Sequence, residues 1–274
     1  MRIDVIQLAY DLGEPVAQRV QRAVGLVRGR AGADLVVLPE LWPQGGFAYT
    51  EWAAGAETLT GPIVAAMQAA ARDVGAVVHM GSFVERVDPQ PAGQPPAGHA
   101  PLRPGLYNTS VLIGGDGALL ATYRKIHLFG FGEGEPALLS AGDTLVVADP
   151  PGLPRTGLAT CYDLRFPELF RGLVDAGAEL VVLPAAWPAA RVEHWRLLVR
   201  ARAIEDQVLL VAVNTAGSHA SVEMGGSSVV LGPWGEVFAE AGPGEEVLVV
   251  QVDPTCVAAT RRRFPVLADR RLAR

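Results

Sequence analysis

Residues 32–43 read GADLVVLPELWP and residues 177–188 read GAELVVLPAAWP, so a helix end, a strand and the turn after it occur twice in the chain. Nine identities in twelve exceed what the LVVLP pattern of any buried strand between turns would produce. The strands before them also end alike, in Ala9-Tyr10-Asp11-Leu12 and Cys161-Tyr162-Asp163-Leu164. An internal repeat of this kind predicts two related halves, each a sheet backed by helices, packed into one domain. The copies differ where chemistry would sit: Glu40 stands against Ala185, and Cys161 against Ala9.

Short runs rich in Val, Ile and Leu fit that scheme, at residues 3–9, 35–38, 76–80, 110–113, 145–148, 157–161, 180–183, 208–213, 228–231 and 247–252. Most lack polar alternation, as strands covered by helices do. Helices are expected between them. Residues 15–30 place Val16, Val20, Val24 and Val27 on one face with arginines on the other, and residues 63–74, 167–176 and 191–207 read similarly. Turn signals such as Gly232-Pro233-Trp234-Gly235 join strands late in the chain and predict a more antiparallel end. Residues 88–105, with six prolines and three glycines, read as a surface loop, either a tolerated insertion or an active-site lid.

With 274 residues, half of them apolar, the chain can build a core without staples. Its two cysteines exclude a disulfide scaffold and point to a reduced, cytoplasmic setting. A net charge of −6 argues against nucleic acid or an anionic membrane as partner. No apolar run approaches membrane-spanning length, and Asp4, Gln7 and Asp11 interrupt what a signal peptide would need.

Three residues end apolar strands, where α/β sheets place their sites: Glu40, Lys125 and Cys161. A helix start at Pro167 and a nearby lysine would both favour the Cys161 thiolate. A free cysteine is also commonly a small buried hydrophobe, and Cys161 alone leaves both readings open. The histidines show no metal-ligand spacing, so no metal or cofactor is expected. His127 is read as hydrogen-bonding support, His79 as a core-edge residue, His99 and His219 as loop residues, and Cys256 as structural.

Leu38-Pro39-Glu40-Leu41, Tyr123-Arg124-Lys125-Ile126-His127-Leu128-Phe129 and Cys161-Tyr162-Asp163-Leu164-Arg165-Phe166-Pro167-Glu168 resemble, in that order, the three signatures of the nitrilase superfamily of carbon-nitrogen hydrolases. Tyr107-Asn108-Thr109-Ser110, Gly142-Asp143, His194-Trp195 and Asn214 add to a similarity spanning residues 3 to about 253. The resemblance implies a four-layer α-β-β-α sandwich of two pseudo-symmetric halves, with residues 254–274 an extension packing on a partner subunit. It also implies a Glu40-Lys125-Cys161 triad acting on amide carbonyls, in which Lys125 and the Tyr162 N–H hold the oxyanion. Of two nearby acids, Glu135 rather than Glu133 matches the spacing of the auxiliary glutamate in the amidase branch.

The stretch around Cys161 is similar to ω-amidases and deaminated-glutathione amidases, which take small carboxylate-bearing amides. Arg165 would then grip a substrate carboxylate or else pair with Glu168, while Phe131 and Trp187 would line the pocket. The turn at residues 42–52 and the proline-rich loop depart from the branch and are expected near the pocket mouth. The resulting expectation is a cofactor-free amide hydrolase releasing ammonia, as a homodimer or higher homo-oligomer. An N-carbamoyl amine hydrolase and a catalytically silent metabolite- or partner-binding sandwich are the alternatives.

Overall fold

The structure is a computed structural model that describes residues 1–89, 103–131 and 133–272. Strands β1 (Arg2–Gln7), β3 (Leu35–Val37), β4 (Val77–Val87), β5 (Gly105–Ile113), β6 (Leu119–Arg124) and β15 (Glu246–Gln251) form one sheet, in the order β15-β1-β3-β4-β5-β6. A second contains β7 (Val146–Ala148), β8 (Thr156–Leu158), β9 (Leu180–Ala185), β10 (Leu209–Asn214), β13 (Val229–Leu231) and β14 (Val237–Glu240), in the order β14-β13-β10-β9-β8-β7. A small third sheet joins β2 (Ala9–Tyr10), β11 (Ala216–His219) and β12 (Val222–Glu223).

The two large sheets repeat one pattern. Strands β1, β3 and β4 run parallel, with β15 antiparallel at one side and β5 and β6 at the other. Strands β8, β9 and β10 are likewise parallel, flanked by antiparallel β7 and by β13 and β14. The repeated sequence thus occupies the middle of each parallel trio, at β3 and β9.

Alternation along each strand assigns the layers. Ile3, Val5, Leu35 and Val37 face the second sheet and share a core with Val181, Leu183, Leu210 and Ala212. Ile6, Val36, Leu38 and Val78 face outward beneath helices α1 (Val16–Arg28) and α3 (Pro62–Val74), meeting Val24, Val27, Ile63 and Met67. Helices α5 (Pro167–Asp175) and α6 (Val192–Asp206) cover the second sheet through Leu169, Phe170, Leu173, Trp195, Val199 and Ala203. The product is the expected four-layer α-β-β-α sandwich. Short helices α2 (Trp52–Gly55) and α4 (Glu135–Leu138) lie in loops near the site.

Two readings change. Val16 is exposed, and Arg19 is buried in its place, because the guanidinium donates to the carbonyl oxygens of Asp11, Glu14, Trp42 and Pro43. His219 lies in β11, not a loop; it is buried and stacked on Tyr10 at 3.9 Å, and desolvation, with the Arg19 charge, lowers its pKa to about 3. Helix α7 (Cys256–Arg263), in the extension, is anchored to the second sheet's helices: Val257 is buried, and Arg261 donates to the carbonyls of Ala178, Asp206 and Gln207. Cys256 opens that helix, half-buried, with its pKa raised by burial and by Glu236. Most of the 88–105 loop, and His99 with it, lies outside the described residues.

Where α5, α6 and α7 meet, burial raises the Asp206 carboxyl to about pKa 7 despite Arg171 at 3.2 Å. A raised carboxyl contributes stability at low pH that is lost as it ionises in the fold. Asp206→Asn should therefore gain on the parent protein as pH rises from about 4 to 7, which melting curves at pH 5 and pH 8 would test; a gap independent of pH would contradict it.

Candidate active site

The site forms where strand ends from both sheets converge. Beyond β3, the backbone turns at Leu41, whose φ of 46° is left-handed, and its N–H is held by the Ser82 hydroxyl at 3.0 Å. This turn delivers Glu40 inward. Its Oε1 accepts from Lys125 Nζ and from Asn108 Nδ2, both at 2.8 Å, and its Oε2 accepts from the Ala186 N–H at 2.7 Å. Ala186 belongs to the second copy of the repeat, so the two copies meet at this carboxylate.

Lys125 follows β6, its backbone pinned by Asn108 O and by Gly142 N, both at 2.9 Å. Its ammonium also touches both oxygens of Glu135, at 3.0 and 2.8 Å. Glu135 in turn accepts from Asn108 Nδ2 at 2.8 Å and from Phe129 N at 2.6 Å. Glu133, the other acid considered, does not line the cleft. Burial works against the charge on Lys125, but Glu135 and Glu40 outweigh it and hold its pKa well above the ordinary value. Burial, with the Glu40 charge, raises Glu135 even beside the lysine.

Cys161 follows β8 and starts a tight 3₁₀ turn over Cys161–Arg165, with a left-handed φ of 46°. Asp163 fixes that turn. Its buried carboxylate accepts from Thr160 N at 2.8 Å, Tyr123 OH at 2.7 Å and His127 N at 3.1 Å, and His127 Nδ1 lies at 2.8 Å. His127 stacks on Phe166 at 3.7 Å, as expected of a supporting residue. At the start of the turn the Tyr162 N–H has no intrahelical acceptor, and none of the described residues accepts from it.

The thiol does not show the prepared thiolate read from the sequence. Burial and the Glu40 carboxylate, which also hydrogen-bonds it, push the Cys161 pKa well up, beyond what Lys125 and the Ala186 N–H offset. The resting pair is a thiol beside a carboxylate, so a proton must leave as attack occurs. Iodoacetamide labelling of Cys161 should accordingly keep accelerating above the free-cysteine pKa of about 8.5, and a plateau at neutral pH would contradict this.

The space over Cys161, open solvent at its mouth included, comes to about 420 Å³. It brings together Glu40, Lys125, Glu135, Cys161, Tyr162, Arg165 and Trp187. Phe131 is not among the lining residues: it stands 89% exposed, edge-on to Phe129, which lines the cleft instead. The turn at residues 42–52 contributes Gly46, Phe47 and Tyr49 to the lining. Arg165 makes no ion pair with Glu168; its guanidinium lies over the Trp187 ring at 4.9 Å and touches His194 Nδ1 at 3.2 Å.

Sequence reasoning gave no role to Asn108, although it bridges both carboxylates. Its signal was three consecutive polar side chains, Asn108, Thr109 and Ser110, inside a buried strand. Ser110 bonds the Thr160 hydroxyl at 2.9 Å beside the cysteine turn. Ala186 acts through its backbone and carries no such signal.

A family model for carbon-nitrogen hydrolases matches residues 2–262. A 2-oxoglutaramate amidase of Paenarthrobacter nicotinovorans is 41% identical over 98% of this chain and 89% of its own. A CN-hydrolase superfamily protein of Xanthomonas campestris, solved with an arsenic adduct in its active site, superposes with a TM-score of 0.86 at 31% identity, covering 100% of this chain and 98% of the other. An amidase of Nesterenkonia, solved with the acetamide moiety of fluoroacetamide added covalently to its active-site cysteine, gives a TM-score of 0.73 at 26% identity, covering 98% and 96%.

Proposed function

The chain belongs to the carbon-nitrogen hydrolase family and hydrolyses non-peptide carbon-nitrogen bonds, and we propose that it acts as an ω-amidase, releasing ammonia from small carboxylate-bearing amides through a Cys161 thioester. The observation that supports this reading is the single carboxylate, Glu40, joined at once to Lys125, to the Ala186 N–H and to the Cys161 thiol.

The proposed steps follow from those contacts. The substrate carbonyl oxygen lies against Lys125 Nζ and the Tyr162 N–H, where negative charge develops. As Cys161 Sγ attacks the carbonyl carbon, Glu40 takes the thiol proton and passes it to the amide nitrogen, and ammonia departs. Glu40 then removes a proton from water attacking the thioester, and returns it to sulfur as the acid leaves. Glu135 and Asn108 keep the lysine and Glu40 aligned throughout.

The test measures ammonia release from ω-amides, N-carbamoyl compounds and nitriles, with Cys161→Ala as control. Turnover of ω-amides above the others supports the reading. Turnover confined to N-carbamoyl compounds replaces it with the alternative hydrolase. No turnover of any class, with Cys161 unlabelled by iodoacetamide, favours a silent binding protein.

Two copies are proposed to pair through α6, whose Leu197 and Ile204 side chains stand 70% and 46% exposed; light scattering tests the pairing. Among the described residues no helix is long and apolar enough to cross a membrane. A cytoplasmic setting, which would keep Cys161 reduced, is proposed with it.

A further inference from the structure

Arg191, at the turn leading into α6, lines the same cleft as Arg165. Its guanidinium lies over the Phe129 ring at 5.4 Å, and its carbonyl accepts from Trp187 Nε1 at 2.8 Å. Among the described residues neither Arg165 nor Arg191 has a carboxylate within ion-pair distance. That separates them from Arg124, Arg171, Arg196 and Arg202, each of which does.

Two guanidinium groups without an acid partner thus border one cleft. Glu40 and Glu135, the two acids of the cleft, are both bonded to Lys125, so they leave the arginines uncompensated. The cleft therefore holds three bases against two acids, an excess of one positive charge. A guanidinium lying on an aromatic face keeps its donors in its own plane, available to a carboxylate. Phe129, Trp187 and Phe47 supply apolar wall, but no acid, near those donors.

We infer that Arg191 joins Arg165 in a two-guanidinium clamp for the far carboxylate of the substrate, which makes Arg191 a specificity-determining residue. This rests on the amidase reading above and deepens it. One bound carboxylate neutralises the excess charge of the cleft, whereas a neutral amide leaves both arginines without a counter-charge. The lock acts on binding, away from the reacting carbonyl, and so bears on KM more than on kcat.

The test compares a dicarboxylic monoamide with a neutral primary amide of the same length, on the parent enzyme, Arg191→Met and Arg191→Lys. The ratio of kcat/KM for the anionic over the neutral amide should fall about 10–100-fold in Arg191→Met, through KM, with partial recovery in Arg191→Lys. An equal loss on both amides, or an unchanged ratio, overturns the clamp. A second readout does not need turnover: protection of Cys161 from iodoacetamide by valerate, compared with 1-pentanol. Protection by valerate that Arg191→Met abolishes supports the clamp even if neither amide is hydrolysed, an outcome that would defeat only the amidase reading. Protection insensitive to Arg191 overturns the clamp while leaving that reading intact.

Discussion

Replacing Lys125 by methionine is expected to lower kcat at least about 10²–10³-fold and to destabilise the fold by about 3–5 kcal/mol. The first effect is the loss of one donor to the oxyanion. The second arises because Glu40 and Glu135, 2% and 4% exposed, both lean on the one ammonium that lies between them. Without it two buried carboxylates face each other, and one must take up a proton. The variant should therefore recover part of its stability as pH falls, since protonation relieves the repulsion. Denaturant melts at pH 5 and pH 8, alongside ammonia release, check both parts; full stability at pH 8 would show that the carboxylates do not depend on the lysine.

Glu40→Gln should separate reactivity from catalysis. Turnover is expected to fall about 10²–10⁴-fold, because the amide cannot accept the thiol proton or activate water. Simple alkylation of Cys161 should instead become faster at a given pH. The Glu40 charge and hydrogen bond both raise the cysteine pKa, so their removal lets more thiolate form. Labelling rates between pH 7 and 10, set against ammonia release, decide the matter. A slower alkylation would mean that Glu40 activates the thiol in the resting state, contrary to the raised pKa.

The two-sheet fold and the three strand-end residues were legible in the sequence because their signals are local. The repeat at Leu35 and Leu180 located the centres of both sheets, and strand ends located Glu40, Lys125 and Cys161. What stayed hidden depends on distant neighbours. Periodicity set Arg19 on the solvent side, since no local rule shows that four carbonyls from other segments await it. The Cys161 environment was misjudged similarly: the helix start and the lysine are visible near it, but burial and a carboxylate from another strand outweigh both. Phe129 and Phe131 are separated by a single glycine on a loop without periodicity, so nothing in the sequence chose between them. Arg191 gained meaning only once its lack of an acid partner was apparent.

The bond from the Ala186 N–H to Glu40 crosses between the two sheets. Neither half of the molecule, cut from the other, could hold its own base in position, since the first half keeps the carboxylate and the second keeps both the amide that aims it and the sulfur it serves. Chemistry here is a property of the docked pair. A slip of one layer across the other would silence the enzyme well before either layer melted, so activity should be a more sensitive gauge of that seam than any measure of helix or strand content.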